Sequence, residues 1–226
     1  MLERLPDDDS RQRRREIARN CAGIAYAGGA DTSTISVQMF FLAMAMHPEV
    51  QKKAQAEIDR VVGCKSLPDF AERKALPYVN AVIKEVVRWQ PASPLAIAHS
   101  CSADDEYDGF FIPKGSIIVG NSWAILHDPD VYPCPELFRP ERFLTEDGRL
   151  DPGVQDPYVA AFGYGRRICP GRYLGDNSLF SVVSSVLATF DILPPVDEEG
   201  HVVQLKAEVS TGLLSSVTFF MVRIQI

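Results

Sequence analysis

The stretch Phe162-Gly163-Tyr164-Gly165-Arg166-Arg167-Ile168-Cys169-Pro170-Gly171 decides how this chain is read. A lone cysteine is by default a small buried hydrophobe. Cys169 departs from that default because its surroundings suit a thiolate. Gly163, Gly165 and Gly171 let the backbone approach a flat ligand and turn N–H groups toward the sulfur. The apolar run after Gly171, reaching about Phe190, predicts a helix whose N-terminal dipole points at the same place. Arg166 and Arg167 stand beside it, and all three features favour the thiolate.

Working outward, residues 128–158 hold six prolines and read as a long irregular meander. A structureless segment of that length inside a domain is usually functional. Before it, residues 106–119 read as strand, Asp-Gly turn, strand, Pro-Lys-Gly turn, strand. Pro77 opens a helix through Trp89 that Pro91 stops, and Pro68 opens a short helical turn. His47-Pro48-Glu49 starts another, with Val50, Ala54, Ile58 and Val61 at helical spacing and Gly63 at its end. Residues 16–46 form a proline-free helical pattern, expected to be long and mostly buried. Gly28 and Gly29 sit in its middle, where each costs about 1 kcal/mol against alanine. After the last helix, residues 201–205 and 217–226 are strand-like. Helices first and small antiparallel pieces later give an α-dominated α+β fold.

The 226 residues, 46% hydrophobic, suffice for one ordinary domain. A net charge of −7 argues against a nucleic-acid partner. The basic Arg11, Arg13, Arg14 and Arg15 are balanced by Glu3, Asp7, Asp8, Asp9 and Glu16, a solvated helix entry. Residues 1–10 carry no apolar core and no run is long enough to span a bilayer, so neither a signal peptide nor an anchor is expected there. The five cysteines are odd in number and widely spaced, so a reducing compartment is expected. Cys21, Cys64, Cys101 and Cys134 keep the default reading as small buried hydrophobes.

Residues 162–171 resemble the haem-binding loop of the cytochrome P-450 monooxygenases, F-x-x-G-x-R-x-C-x-G, with Phe162, Gly165, Arg167, Cys169 and Gly171 at every fixed position. The resemblance makes Cys169 the proximal ligand of haem b iron and Arg167 a partner of a haem propionate. A thiolate ligand favours O–O cleavage. Glu85 and Arg88, three apart on one helix face, are similar to the family's E-x-x-R pair. Pro140-Glu141-Arg142-Phe143 matches its P-E-R-F element, so Glu85, Arg88 and Arg142 are expected to lock the meander as structural residues. Ala27-Gly28-Gly29-Ala30-Asp31-Thr32-Ser33 resembles the oxygen-activation motif, in which small residues leave room and let the helix open locally. There Thr32 hydrogen-bonds the oxygen being activated, and Asp31 helps relay protons through water. His99 falls where the family binds a propionate, and Ala27, Leu95, Ile97, Leu213 and Leu214 fall where it lines an apolar substrate pocket.

The resemblance covers nearly the whole chain but only the C-terminal haem-binding half of the family. Asp104-Asp-Glu-Tyr-Asp-Gly-Phe110 and Arg172-Tyr-Leu-Gly-Asp-Asn-Ser178 resemble fungal, basidiomycete members labelled as like O-methylsterigmatocystin oxidoreductase. It implies a single partial domain over residues 1–226, electrons ultimately from NADPH through cytochrome P-450 reductase, and a lipophilic small-molecule substrate. The full-length family sits on the cytoplasmic face of the endoplasmic reticulum membrane through an N-terminal anchor. Without one, this chain would be cytoplasmic if expressed alone. Three readings stand: a monooxygenase half, a truncated chain that binds haem weakly without turnover, and a non-haem α+β domain with a structural cysteine loop. The expectation is monooxygenase lineage with little activity in isolation, because the enclosing wall of the pocket is missing.

Overall fold

The computed structural model describes residues 10–63, 66–210, 212–215 and 221–226. Three helices come first: α1 (Ser10–Met46), α2 (Pro48–Val61) and α3 (Pro77–Trp89). Pro48 and Pro77 each open a first turn, where the missing N–H has no helical acceptor to lose. Gly63 adopts φ 72° just past α2, the left-handed conformation that ends helices. The expected turn after Pro68 closes as a short 3-10 segment, Arg73–Ala75. Two short helices, α4 (Ser122–Leu126) and α5 (Tyr158–Ala161), bracket the meander, and α6 (Arg172–Thr189) follows the cysteine loop.

The main core joins four helices. Met39, Phe40, Ala43 and Met44 of α1 pack with Ala54 and Ile58 of α2, Val79, Val82 and Val86 of α3, and Phe180, Val183 and Leu187 of α6. A smaller cluster of Ala81, Leu126, Tyr132, Phe143 and Ala160 lies under the meander. Two buried polar side chains stitch elements together. Glu57 of α2 accepts the N–H groups of Tyr78 and Val79 at 3.0 and 2.9 Å, capping α3 from outside its own sequence. Gln51 exchanges two hydrogen bonds with the backbone of Ile192, standing in for a strand neighbour.

Three antiparallel pairs complete the fold. The Asp108-Gly109 turn joins β2 (Asp105–Tyr107) to β3 (Phe110–Ile112), both turn residues at positive φ as a type I′ turn requires. The strand expected to follow, β4 (Ile117–Ile118), pairs back with β1 (His99–Ser100) instead of with β3. After α6, β5 (Asp191–Leu193) pairs with β6 (Arg223–Gln225). The run at 201–205 contributes only an isolated bridge between Val196 and Val202.

Two expectations are corrected. Helix α1 is long but not mostly buried: from Gln12 to Gly29 every residue except Ala18 is exposed, and burial starts at Ile35. A periodic apolar pattern marks a face but does not supply the surface to cover it. The cysteines taken as buried hydrophobes are not so: Cys21 and Cys134 are exposed and Cys101 is half-buried. Cys21 sits on the uncovered part of α1, and Cys134 takes φ 52° in the meander, which turns it outward. Cys64, residues 217–220 of the strand-like tail, and Glu3 and residues 7–9 of the acidic entry lie outside the described residues.

Candidate functional site

The cysteine loop closes on itself through its backbone. The Cys169 N–H donates to the Phe162 carbonyl at 2.8 Å, and Arg172 N–H donates to the Cys169 carbonyl at 3.4 Å as α6 begins. Gly163 and Gly165 take φ 77° and 55°, which reverses the chain between those bonds. A Cβ on Gly171 would lie 3.7 Å from the Cys169 sulfur, so glycine there keeps the sulfur's flank clear. Phe162 packs edge-on to Tyr158 and lies 3.7 Å from where a Cβ on Gly175 would be, seating the loop on α5 and α6. Among the described residues no loop N–H donates to the Cys169 sulfur: those of Cys169, Arg167 and Ile168 go to carbonyls within the loop, and that of Gly163 goes to the Ala160 carbonyl at 3.4 Å.

Glu85, Arg88 and Arg142 are brought together. Arg88 donates to both Glu85 oxygens at 2.8 and 2.9 Å, and Arg142 Nε donates to Oε1 at 3.1 Å. Glu85 and Arg88 are fully buried. Two guanidiniums on one carboxylate leave a buried positive charge, and backbone oxygens absorb it. Arg88 donates to the carbonyls of Leu126, Pro135 and Leu137, and Arg142 to those of Pro133, Cys134 and Leu137. The Arg139 N–H adds a further bond to Glu85 at 2.8 Å. Burial pulls the Arg142 pKa below its ordinary value; Glu85 opposes that shift and Arg88 reinforces it. The cluster thus ties α3 to the irregular segment before and within the 3-10 turn Pro140–Phe143.

On α1 the picture differs. Asp31 is exposed and Thr32 half-buried. The Thr32 hydroxyl donates to the Gly28 carbonyl at 2.7 Å, and Ser36 to the Thr32 carbonyl at 3.0 Å. The helix therefore does not open at Gly28-Gly29 as expected. Serine and threonine back-bonds satisfy the ladder there, and two glycines alone do not unwind a helix held at its C-terminal end by the core. Nothing lies within 4 Å of a Cβ placed on Gly28 or Gly29, so their small size serves no contact within the chain.

His99 is exposed, paired opposite Ile118. Its sheet reaches the cysteine loop through the residues just after β4: the Tyr164 ring lies against Gly120, and Ser122 Oγ lies 2.8 Å from the Tyr164 hydroxyl. Sequence reasoning missed this link, since neither Gly120 nor Ser122 stands in a motif. Leu95 and Ile97 share a neighbourhood with Leu213 and Leu214, because Ser93 Oγ donates to the Leu213 carbonyl and Ser215 N–H to that of Ala92. Ala27, Leu95, Ile97 and Leu213 are exposed and Leu214 is half-buried, so these positions form no enclosed pocket among the described residues. An open depression of about 520 Å³ lined by Lys84, Phe143 and residues 150–156 lies on the meander and includes none of them.

The residues present fit a flat, largely apolar ligand bearing anionic groups and a thiol-binding metal. One thiol stands with a cleared flank. The guanidiniums of Arg166 and Arg167 make no hydrogen bond or ion pair among the described residues, which leaves them available to an anion. Ile168 and Tyr164 show apolar surface beside them.

The sequence profile described as Cytochrome P450 matches residues 3–213. Cytochrome P450 monooxygenase COX2 of Coprinopsis cinerea is 52% identical over 210 residues, covering 92% of this chain and 40% of that protein. Cytochrome P450 monooxygenase COX1 of the same fungus is 48% identical over 218 residues, covering 96% and 42%. Cytochrome P450 monooxygenase ple1 of Rhodocybe pseudopiperita is 45% identical over 224 residues, covering 99% and 43%. The chain therefore spans about 40% of the length of the curated relatives it matches.

Proposed function

The chain belongs to the cytochrome P450 family, and from that premise we propose that it carries the haem-thiolate site of a monooxygenase acting on a lipophilic small molecule. The observation that carries the reading is the cysteine loop: a half-buried Cys169 whose flank is cleared by Gly171, beside two arginines that make no ion pair among the described residues. Haem, when bound, would supply dioxygen binding and activation at an iron made electron-rich by the thiolate. Cys169 would ligate the iron, Arg167 and His99 would bind its carboxylates, and Phe162, Gly165 and Gly171 would hold the loop in shape. The Glu85–Arg88–Arg142 cluster would keep the meander fixed beneath. Asp31, exposed beside Thr32, would exchange protons with water. Thr32 must give up its bond to the Gly28 carbonyl before its proton is free to be donated elsewhere. Electrons would come from NADPH through a reductase. No helix among the described residues is long and apolar enough to cross a membrane.

A second reading has its own observation. Ala27, Asp31, Leu95, Ile97 and Leu213 are all open to solvent. A site that excludes water is part of catalysis, so the isolated chain would bind haem weakly and fail to turn over. Reduced carbon-monoxide difference spectra of the chain with haem supplied test both. A red-shifted thiolate band, absent from Cys169→Ser, is the expected result. Retention of that band by Cys169→Ser would overturn the ligand assignment. Substrate oxidation by the chain with a reductase would overturn the second reading.

A further inference from the structure

We infer that Tyr164 is a positioning residue for Cys169: its clasp on Gly120 and Ser122 sets the cysteine loop against the segment that carries the His99 sheet. The loop has few side-chain anchors of its own. Arg166 and Arg167 have no partner among the described residues, and Ile168 is exposed. Tyr164 is different. It is held extended, at φ −125° and ψ 146°, between two glycines in the left-handed region. That alternation sends its ring out of the loop and onto the segment after β4.

The contact is specific on both of its surfaces. A Cβ on Gly120 would come within 2.4 Å of the Tyr164 ring, a separation that no real pair of atoms holds. Gly120 is not in the positive-φ region, so its backbone conformation does not require glycine. The ring does. At the other end, the fully buried Ser122 hydroxyl donates to the Ala160 carbonyl at 3.0 Å and so has only acceptor capacity left for Tyr164. The phenol therefore donates to Ser122, and Ser122 to the last turn of α5, which leads into the loop. Ser122 begins α4, whose entry is fixed by Asn121 accepting from Ala124 N–H at 3.0 Å. A chain of contacts runs from His99, across its pairing with Ile118, through Gly120 and Ser122 to Tyr164 in the loop that carries Cys169.

The inference rests on the haem-thiolate reading for its spectral arm only. Tyr164→Phe removes the hydroxyl and keeps the ring, Gly120→Ala displaces the ring, and Tyr107→Phe is a control on an exposed tyrosine outside the clasp. In the haem-free full chain, alkylation of each cysteine is followed by mass spectrometry. The expected result is labelling of Cys169 accelerated about five- to tenfold in Tyr164→Phe and Gly120→Ala, with Cys134 unchanged and Tyr107→Phe like the parent. In the haem-loaded chain, the share of the carbon-monoxide complex in the red-shifted thiolate band should fall several-fold in the same two variants. Unchanged labelling overturns the inference. Faster labelling with an unchanged band share also overturns it, since that marks a structural tie alone. If Gly120→Ala does not fold, Tyr164→Phe decides by both readouts. If the parent chain takes up no haem, it is the haem reading that fails, and labelling decides the clasp.

Discussion

Glu85 is the residue on which most geometry converges, since its carboxylate meets Arg88, Arg142 and the Arg139 N–H in a buried setting. Removing one member of a buried ion cluster is costly because the charges left behind keep their desolvation penalty without a partner. Glu85→Ala strands two guanidiniums, and denaturant titration should show a loss of about 3–5 kcal/mol, enough to unfold a marginal domain. Replacement by glutamine should cost less, because its amide oxygen still accepts. A loss under about 1 kcal/mol for Glu85→Ala would mean water reaches the cluster. Tyr132 offers a pH-resolved test in the same region. Burial, opposed by the Gln155 side chain and by Arg88, pushes its phenol from the usual 10.0 up to about 12. The folded value lies above the unfolded one, so the stabilisation is complete below about pH 10 and is lost as pH rises from there through about 12. Tyr132→Phe loses a hydrogen bond worth about 1 kcal/mol at neutral pH. Its deficit against the parent should narrow across that window, and a constant deficit would contradict the shift.

At the scale of elements, the long-range cap on α3 is the device most open to test. Glu57 reaches across from α2 to accept two N–H groups of the first turn of α3. Glu57→Ala leaves both donors without an acceptor at a buried helix start and should cost about 1–2 kcal/mol. Amide exchange at Val79 should quicken with it; exchange that stays at parent rates would show that water replaces the carboxylate. The helix ends themselves were readable, because Pro48, Pro77 and Gly63 act through local backbone geometry that the sequence states directly. The Asp108-Gly109 hairpin was readable for the same reason. The pairing of His99–Ser100 with Ile117–Ile118 was not, since two-residue strands carry no period and their partner is chosen by the fold. Glu57 and Gln51 escaped for a related reason: each is an ordinary polar residue on an amphipathic helix until a distant backbone arrives beside it. The candidate site divides in the same manner. The Glu85–Arg88 pair was legible through its three-residue spacing and the addition of Arg142 through the family resemblance, whereas the Tyr164–Ser122 contact depends on where α4 and α5 meet.

Across the whole molecule, α1 joins a packed end to an uncovered one. Met39, Phe40, Ala43 and Met44 are fully buried, while Ile24 and Tyr26 stand in solvent. Most helical stability in proteins comes from tertiary packing, so a helix half held by a core should be firm at that end and frayed at the other. Hydrogen exchange on the haem-free chain should therefore show slow amides from Met39 to Met46 and amides before Gly29 exchanging far faster. Uniform protection along α1 would mean that its open half is covered in solution. Adding haem turns the same measurement into a test of the site. The glycine, aspartate and threonine at 28–32 and the cysteine loop at 162–171 lie on separate elements, linked through the core that α1 and α6 share. If one haem lies between them, its binding must protect both segments at once, since a ligand lowers opening only where it touches or where its contacts are coupled. Protection of the loop together with residues 28–34 would support Cys169, Asp31 and Thr32 serving one bound ligand. Protection of the loop alone would detach Asp31 and Thr32 from the site and leave Cys169 as a haem ligand without an oxygen-side partner on α1.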